Sequence, residues 1–267
     1  MTRRLTVAHL TAIDLPPPAF IEAAARAGFD GVGLRLLTVT PDSPGYPLMD
    51  TPTQMRATKA ALAATGLRVA DIEFVRITPE TKPDTLAPLL DAGAELGARH
   101  LITAPYDPDL SRMADTLAAI DTLARARGLG TVLEFFPWTV VPTLRAAIDV
   151  VTAAGPAVGV LVDALHFDRS GSTLHDLVAL PPHRLPFAHI CDAPVHPPYS
   201  EQDLIHTARQ DRLPPGHGAI DLRAWLQALP PDLPLCAEVP MTARRTALGA
   251  EALLSMIHDA CRALLSQ

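Results

Sequence analysis

The chain has 267 residues, of which 48% are apolar, only 4% aromatic and 19% charged, with a formal net charge of −7. That length suits one α/β barrel domain spanning 1–267, with a core built from Ala, Leu, Val and Ile rather than aromatic rings. The acidic balance and the lack of a Lys/Arg stripe argue against a nucleic-acid partner; no run reaches the ~18 apolar residues of a membrane span, and no signal peptide is read at the N-terminus, so a cytoplasmic chain is expected.

Short apolar runs alternate with amphipathic stretches. Strand 5–11 leads to helix 17–27, and strand 31–37 leads through a long loop to helix 52–65. Strand 68–75 precedes helix 84–96, strand 100–105 precedes helix 110–127, and strand 130–136 precedes helix 143–154. Strand 158–164 leads to a shorter helix, 173–180; strand 187–192 to a long loop and helix 222–229; strand 233–239 to helix 248–265. Gly28, Gly66, Gly97, Gly128 and Gly155 close the first five helices, the expected left-handed cap. Eight strand–helix units imply parallel strands joined by right-handed crossovers. A closed (β/α)8 TIM barrel is favoured over an open doubly wound sheet, whose phosphate loop the segment from His9 to Pro18 lacks. The loops at 38–51 and 193–221 are long and fall on the C-terminal face, where barrel active sites are built. Cys191, Cys236 and Cys261 are widely spaced and read as buried free thiols rather than a zinc or redox motif.

Four strands end on an ionisable group directly after an apolar run: Glu134 on the fifth, Asp163 on the sixth, His189 on the seventh and Glu238 on the eighth. A charge in such a place is expensive unless paired or metal-bound. Four on consecutive strands converge inside one barrel mouth. Three carboxylates and an imidazole suit one divalent ion, with Mn2+, Mg2+ or Co2+ favoured and Zn2+ also accommodated. A buried charge network without metal is the alternative. Other strand ends offer pocket residues: His9, Arg35, Glu73 and Tyr106. Arg35 fits either an anionic substrate group or a salt bridge to Glu73. Trp138 can cover the apolar face of a sugar or pack its loop. Asp192 is a candidate to orient a ligand through a hydrogen bond, while His196, His206 and His217 are expected to face solvent.

The series Leu133-Glu134, Asp163-Ala164-Leu165-His166, His189-Ile190-Cys191-Asp192, Gly216-His217-Gly218-Ala219-Ile220-Asp221 and Ala237-Glu238 resembles the xylose isomerase-like barrel superfamily. That group takes in sugar phosphate isomerases/epimerases, ketose 3-epimerases, inosose dehydratases and the nucleases of AP endonuclease family 2. The resemblance implies that Glu134, Asp163, His189 and Glu238 ligate one metal, and that Glu134 and Glu238 flank the substrate as acid and base. It implies that His166 binds substrate oxygens, with Arg212 the best match to an arginine that precedes Gly-x-Gly. The implied activity is isomerisation or epimerisation of a small sugar, ketose or polyol through proton abstraction and an enediolate. A metal-dependent dehydratase is the alternative, and a non-catalytic sugar-binding barrel a third reading. The resemblance also makes a homo-oligomer an expectation. A three-metal DNA-repair endonuclease is disfavoured, because strands three and four end in Glu73-Phe74-Val75 and Ala104-Pro105-Tyr106 rather than in histidines.

Overall fold

A computed structural model of the protein describes residues 3–39 and 43–266. Among them, eight parallel strands close into a barrel in sequence order, β1 beside β2 around to β8 beside β1. The strands are β1 Leu5–Val7, β2 Gly31–Arg35, β3 Arg68–Ile77, β4 His100–Pro105, β5 Gly130–Glu134, β6 Gly159–Asp163, β7 Ala188–Ile190 and β8 Leu235–Ala237. Around them lie α1 Pro17–Ala27, α2 Pro52–Thr65, α3 Ala87–Glu95, α4 Leu110–Arg125, α5 Leu144–Ala154, α6 Ala164–Arg169, α7 Leu174–Ala179, α8 Glu201–Gln210, α9 Leu222–Ala228, α10 Thr242–Leu248 and α11 Ala250–Leu265. No described helix is long and apolar enough to cross a membrane.

α1 shows how the helices are fixed. Proline at its first position pre-sets φ without losing a needed donor, and Phe20, Ile21, Ala23, Ala24 and Ala27 form its buried face. The helix stops at Gly28, whose φ of 96° is open to glycine at little strain and whose N–H satisfies Ala24 and Ala25 carbonyls. Phe20, Ile21 and Ala24 join the large apolar shell between strands and helices.

The strands are buried on both faces, and their period of two decides what enters the barrel. Ala8, Ile102, Val132, Leu161, Phe187 and Cys236 form a separate apolar cluster inside it. Two residues further along the same strands, on the same inward face, come Glu134, Asp163, His189 and Glu238. Register carries this around the wall: Glu134 sits beside Leu161, Asp163 beside His189, and His189 beside Cys236. The barrel is therefore plugged by apolar side chains and topped by ionisable ones.

Several expected boundaries move. The first strand ends at Val7, and His9–Ala12 forms a 3-10 turn. The expected helix 84–96 opens as a 3-10 turn at Pro83–Leu86 before α3. α6 precedes the expected helix after strand six, because Asp163 caps it directly from the strand end. The loop expected at 193–221 contains α8, started by a capping box between Ser200 and Asp203. The last expected helix starts two residues later, as α11, after Gly249 with φ of 80°, and α10 precedes it as a further helix. In the loop expected at 38–51, residues 40–42 lie outside the described residues.

Candidate metal centre at the strand ends

Glu134, Asp163, His189 and Glu238 each offer one ligand atom, and these atoms lie within 4.8 Å of one another. An octahedral ion with bonds of about 2.1 Å has its opposite ligand atoms about 4.2 Å apart, so that spacing fits one cation. His189 Nδ1 stands 3.6 Å from Glu238 Oε2, 3.7 Å from Asp163 Oδ2 and 3.9 Å from Glu134 Oε1. Neither ring nitrogen of His189 and not Oε1 of Glu134 has a hydrogen-bond partner among the described residues, although all are buried. Buried polar atoms are rarely left so, and a hard-oxygen set with one imidazole is a donor set that a divalent ion satisfies.

Asp163 ends β6 and caps α6 at once. Its Oδ1 accepts from the Leu165 and His166 N–H groups at 2.7 and 3.3 Å, which leaves Oδ2 facing the mouth. The three-residue step to His166 is one helical turn, so the imidazole returns to the same side as the cap. His166 Nε2 lies 3.8 Å from Glu134 Oε1, and its ring meets Phe136 and Trp138 edge-on at 4.8 and 5.2 Å. Trp138 stacks on Phe136 at 5.1 Å, and its indole Nε1 is buried with no partner among the described residues. Phe136, Trp138 and His166 thus form an aromatic wall beside Glu134.

Arg212 is only 1% exposed. It donates from Nη1 to Asp163 Oδ2 at 2.6 Å and from Nη2 to Glu238 Oε2 at 2.7 Å, and its Nε is tied to the Ala208 carbonyl. With three carboxylates, one guanidinium and a divalent ion, the formal charge of the site sums to zero, where the four strand-end residues and the ion without Arg212 would leave it at −1. Burial raises the Glu134 carboxyl well above the usual range, and the Glu238 and Asp163 charges add to this against His189. Burial, the largest single influence, acts in the same direction on Asp163 and Glu238, but Arg212 together with the neighbouring histidines outweighs it and holds both low. His166 is pushed down to about 4 by burial, so its imidazole is neutral at pH 7. For His189, burial is the largest influence and opposes the charge, but Glu238 and Cys236 together outweigh it and raise it.

The other expected pocket residues are placed as follows. Arg35 donates to Glu73 Oε2 at 3.0 Å with both side chains buried, which is the salt-bridge option of the two the sequence left open. His9 is a packing residue: its Nε2 meets the Leu15 carbonyl, its Nδ1 accepts from Arg35 N–H, and Phe20 and Tyr46 stack on its ring. Those partners require the neutral Nε2–H tautomer, and burial lowers its pKa to about 3. Tyr106 lies under the Arg76 guanidinium at 4.1 Å. Asp192 does not point at the four ligands. It accepts N–H bonds from Ala193, Gly216, Gly218 and Ile220 at 2.8–3.1 Å, clamping the Gly-x-Gly loop. A Cβ on Gly218 would stand 2.3 Å from Asp192 Oδ1, so this glycine is required by close approach. His196, His206 and His217 are exposed, and the three cysteines are buried and unpaired.

Sequence reasoning passed over Asp71. It is fully buried inside the barrel, both its carboxylate oxygens lack partners among the described residues, and burial raises it to about 7. The signal was the alternation of Asp71 and Glu73 along β3, which puts both on the inner face. Gly33 gives the carboxyl its room, since a Cβ there would stand 2.5 Å from Asp71 Oδ1.

Residues 21–256 match the model of the family described as xylose isomerase-like TIM barrel. Two inosose isomerases are similar over 152 residues, at 29% identity for the one from Bacillus velezensis and 33% for the one from Bacillus subtilis. Each alignment covers 53% of this chain and 52% of the relative, so the chain spans about half the length of the curated relatives it matches. The solved structure of an IolI protein with a bound zinc atom superposes with a TM-score of 0.83 at 19% identity, covering 100% of this chain and 98% of that one.

Proposed function

The chain belongs to the xylose isomerase-like TIM barrel family, and from that premise we propose that it is a metal-dependent isomerase or epimerase of a small sugar, ketose or polyol-derived substrate. The observation that carries this reading is the convergence of four ligand atoms within 4.8 Å, two glutamates among them, beneath an aromatic wall. The resemblance to inosose isomerases over half of the chain points to the same reaction class. Glu134, Asp163, His189 and Glu238 would hold a divalent ion, which would supply Lewis acidity toward a substrate carbonyl and so acidify the adjoining C–H bond.

The chain's own groups do the rest. Glu134 and Glu238 exchange the proton, one removing it and the other returning it on the opposite face or the adjacent carbon. Neutral His166 donates a hydrogen bond to a substrate oxygen as negative charge develops there, while Arg212, whose guanidinium is taken up by Asp163 and Glu238, keeps those two carboxylates ionised rather than reaching the substrate itself. Trp138 and Phe136 cover the apolar face of the ring and exclude water from it. Arg35, already paired with Glu73, is not free to receive an acidic substrate, which favours an uncharged polyol over a carboxylic acid.

The test is C–H exchange of inososes and ketoses in D2O followed by NMR, with Mn2+ supplied. We expect Glu134→Gln and Glu238→Gln each to lower exchange by at least about 10²-fold, as removal of a general acid or base does, with the fold retained by circular dichroism. Unchanged exchange in either variant removes that residue from the mechanism. Loss of water from the substrate instead of exchange would reassign the enzyme to the dehydratases. Metal binding with no turnover across the screen would favour the sugar-binding barrel.

A further inference from the structure

A cavity about 280 Å3 in volume opens at the end of the barrel opposite the metal centre, where the strands begin. Arg4, Arg68 and Arg99 line it, with Asp30 also on its edge. They stand at neighbouring strand starts: Arg4 just before β1, Asp30 just before β2, Arg68 at the head of β3 and Arg99 just before β4. Asp30 is engaged elsewhere, accepting from Leu5 N–H at 2.7 Å and from Arg262 at 3.3 Å. None of the three arginines of the cavity forms an ion pair with a carboxylate among the described residues. Arg26, Arg112, Arg127 and Arg245, elsewhere on the surface, each do.

Arg4, Arg68 and Arg99 are exposed residues that bring three positive charges to one concavity, and in a chain of net charge −7 this local excess is not a general property of the surface. The cavity also has an apolar side. Phe187, which belongs to the apolar plug inside the barrel, lines it together with Val69 and Pro234. A ligand with a doubly charged head and a less polar body satisfies both features. Guanidinium forks match phosphate oxygens two at a time, and a phosphate monoester near charge −2 offsets three cations better than a monocarboxylate.

We propose that the strand-start mouth of the barrel is a binding site for a small organic phosphate, its head held by Arg4, Arg68 and Arg99 and its body set against Phe187. The site is separate from the metal centre, from which the apolar plug divides it. Helices return toward this end in a barrel, and their negative C-terminal dipoles attract arginine without any ligand. That purely structural role predicts lost stability on substitution and no anion binding.

The test is isothermal titration of the full chain at low salt with D-glucose 6-phosphate, inorganic phosphate and D-glucose. The doubly substituted Arg68→Gln/Arg99→Gln protein and Glu134→Gln are titrated alongside. We expect saturable one-site binding of the sugar phosphate, weaker binding of inorganic phosphate and none of glucose at this mouth. Affinity should fall at least tenfold in the double variant, with its melting temperature unchanged, and stay as it is in Glu134→Gln. Inorganic phosphate binding as tightly as the ester would overturn the organic part of the proposal. No saturable binding, or binding that survives the double variant and is lost in Glu134→Gln, would overturn it entirely.

Discussion

At the scale of single residues, two buried groups carry opposite tests. Asp71 holds its proton in the folded chain up to about pH 7, while an unfolded aspartate releases it near 3.9. The folded state therefore binds the extra proton between those values, and stability falls as pH rises from about 4 to about 7. Each pKa unit is roughly 1.4 kcal/mol, so the effect is on the order of 4 kcal/mol. In metal-free protein, Asp71→Asn should flatten that slope and raise the urea midpoint at pH 8; a slope identical to the parent's would show that Asp71 is ionised throughout. Arg212 gives the complementary case. Its two carboxylate partners are as buried as it is, and removing one side of such a network typically costs about 3–5 kcal/mol. Arg212→Met should destabilise the metal-free protein by that order in urea unfolding, and added Mn2+ should restore more stability to the variant than it adds to the parent.

Elements show what was legible beforehand. α1, α2 and β4 have the bounds that Gly caps and apolar runs imply, because proline starts, glycine stops and periodicity agree locally. α6 and α8 were hidden for different reasons. Asp163 draws attention as a ligand, which masks its second role as a helix cap, and the proline-rich stretch before Ser200 reads as loop although Ser200 and Asp203 form a start signal. Strand ends made Glu134, Asp163, His189 and Glu238 visible as a set. Asp71 lies inside a strand, where only strict counting of inward positions finds it. The three arginines of the far mouth come from separate elements, so no window of sequence gathers them. The loop after β7 yields its own prediction. Asp192→Ala removes the acceptor of four backbone N–H groups, of which those of Ala193 and Ile220 are buried and, left unpaired, cost about 1–3 kcal/mol each. Amide exchange across 213–220 should rise sharply while β5 and β6 stay protected, and Gly218→Ala should do the same through its 2.3 Å clash with Asp192. Protection unchanged in both would mean that the loop is held from elsewhere.

For the whole molecule, a ligand that binds only the folded state stabilises it by mass action. At a hundred times its dissociation constant, a divalent ion at the strand ends should add about 2.7 kcal/mol. Calorimetric melts after exhaustive chelation, then with Mn2+, Mg2+, Co2+ or Zn2+ restored one at a time, should show upward shifts that vanish in Asp163→Ala/His189→Ala. Equal melts with and without metal would show that the cluster is a charge network.

The layer of Ala8, Ile102, Val132, Leu161, Phe187 and Cys236 across the tube has one more consequence. It shuts the barrel beneath Glu134, Asp163, His189 and Glu238, so that their side of the tube has no through-passage to the other end. In the proposed reaction, a bound sugar would then be a stopper as well as a reactant, because the way in would also be the way out for solvent. Hydrogen lifted from carbon by one glutamate in that reaction would stay with its donor until the product leaves. Isotopic label should return to the same molecule more often than free mixing with bulk water would allow.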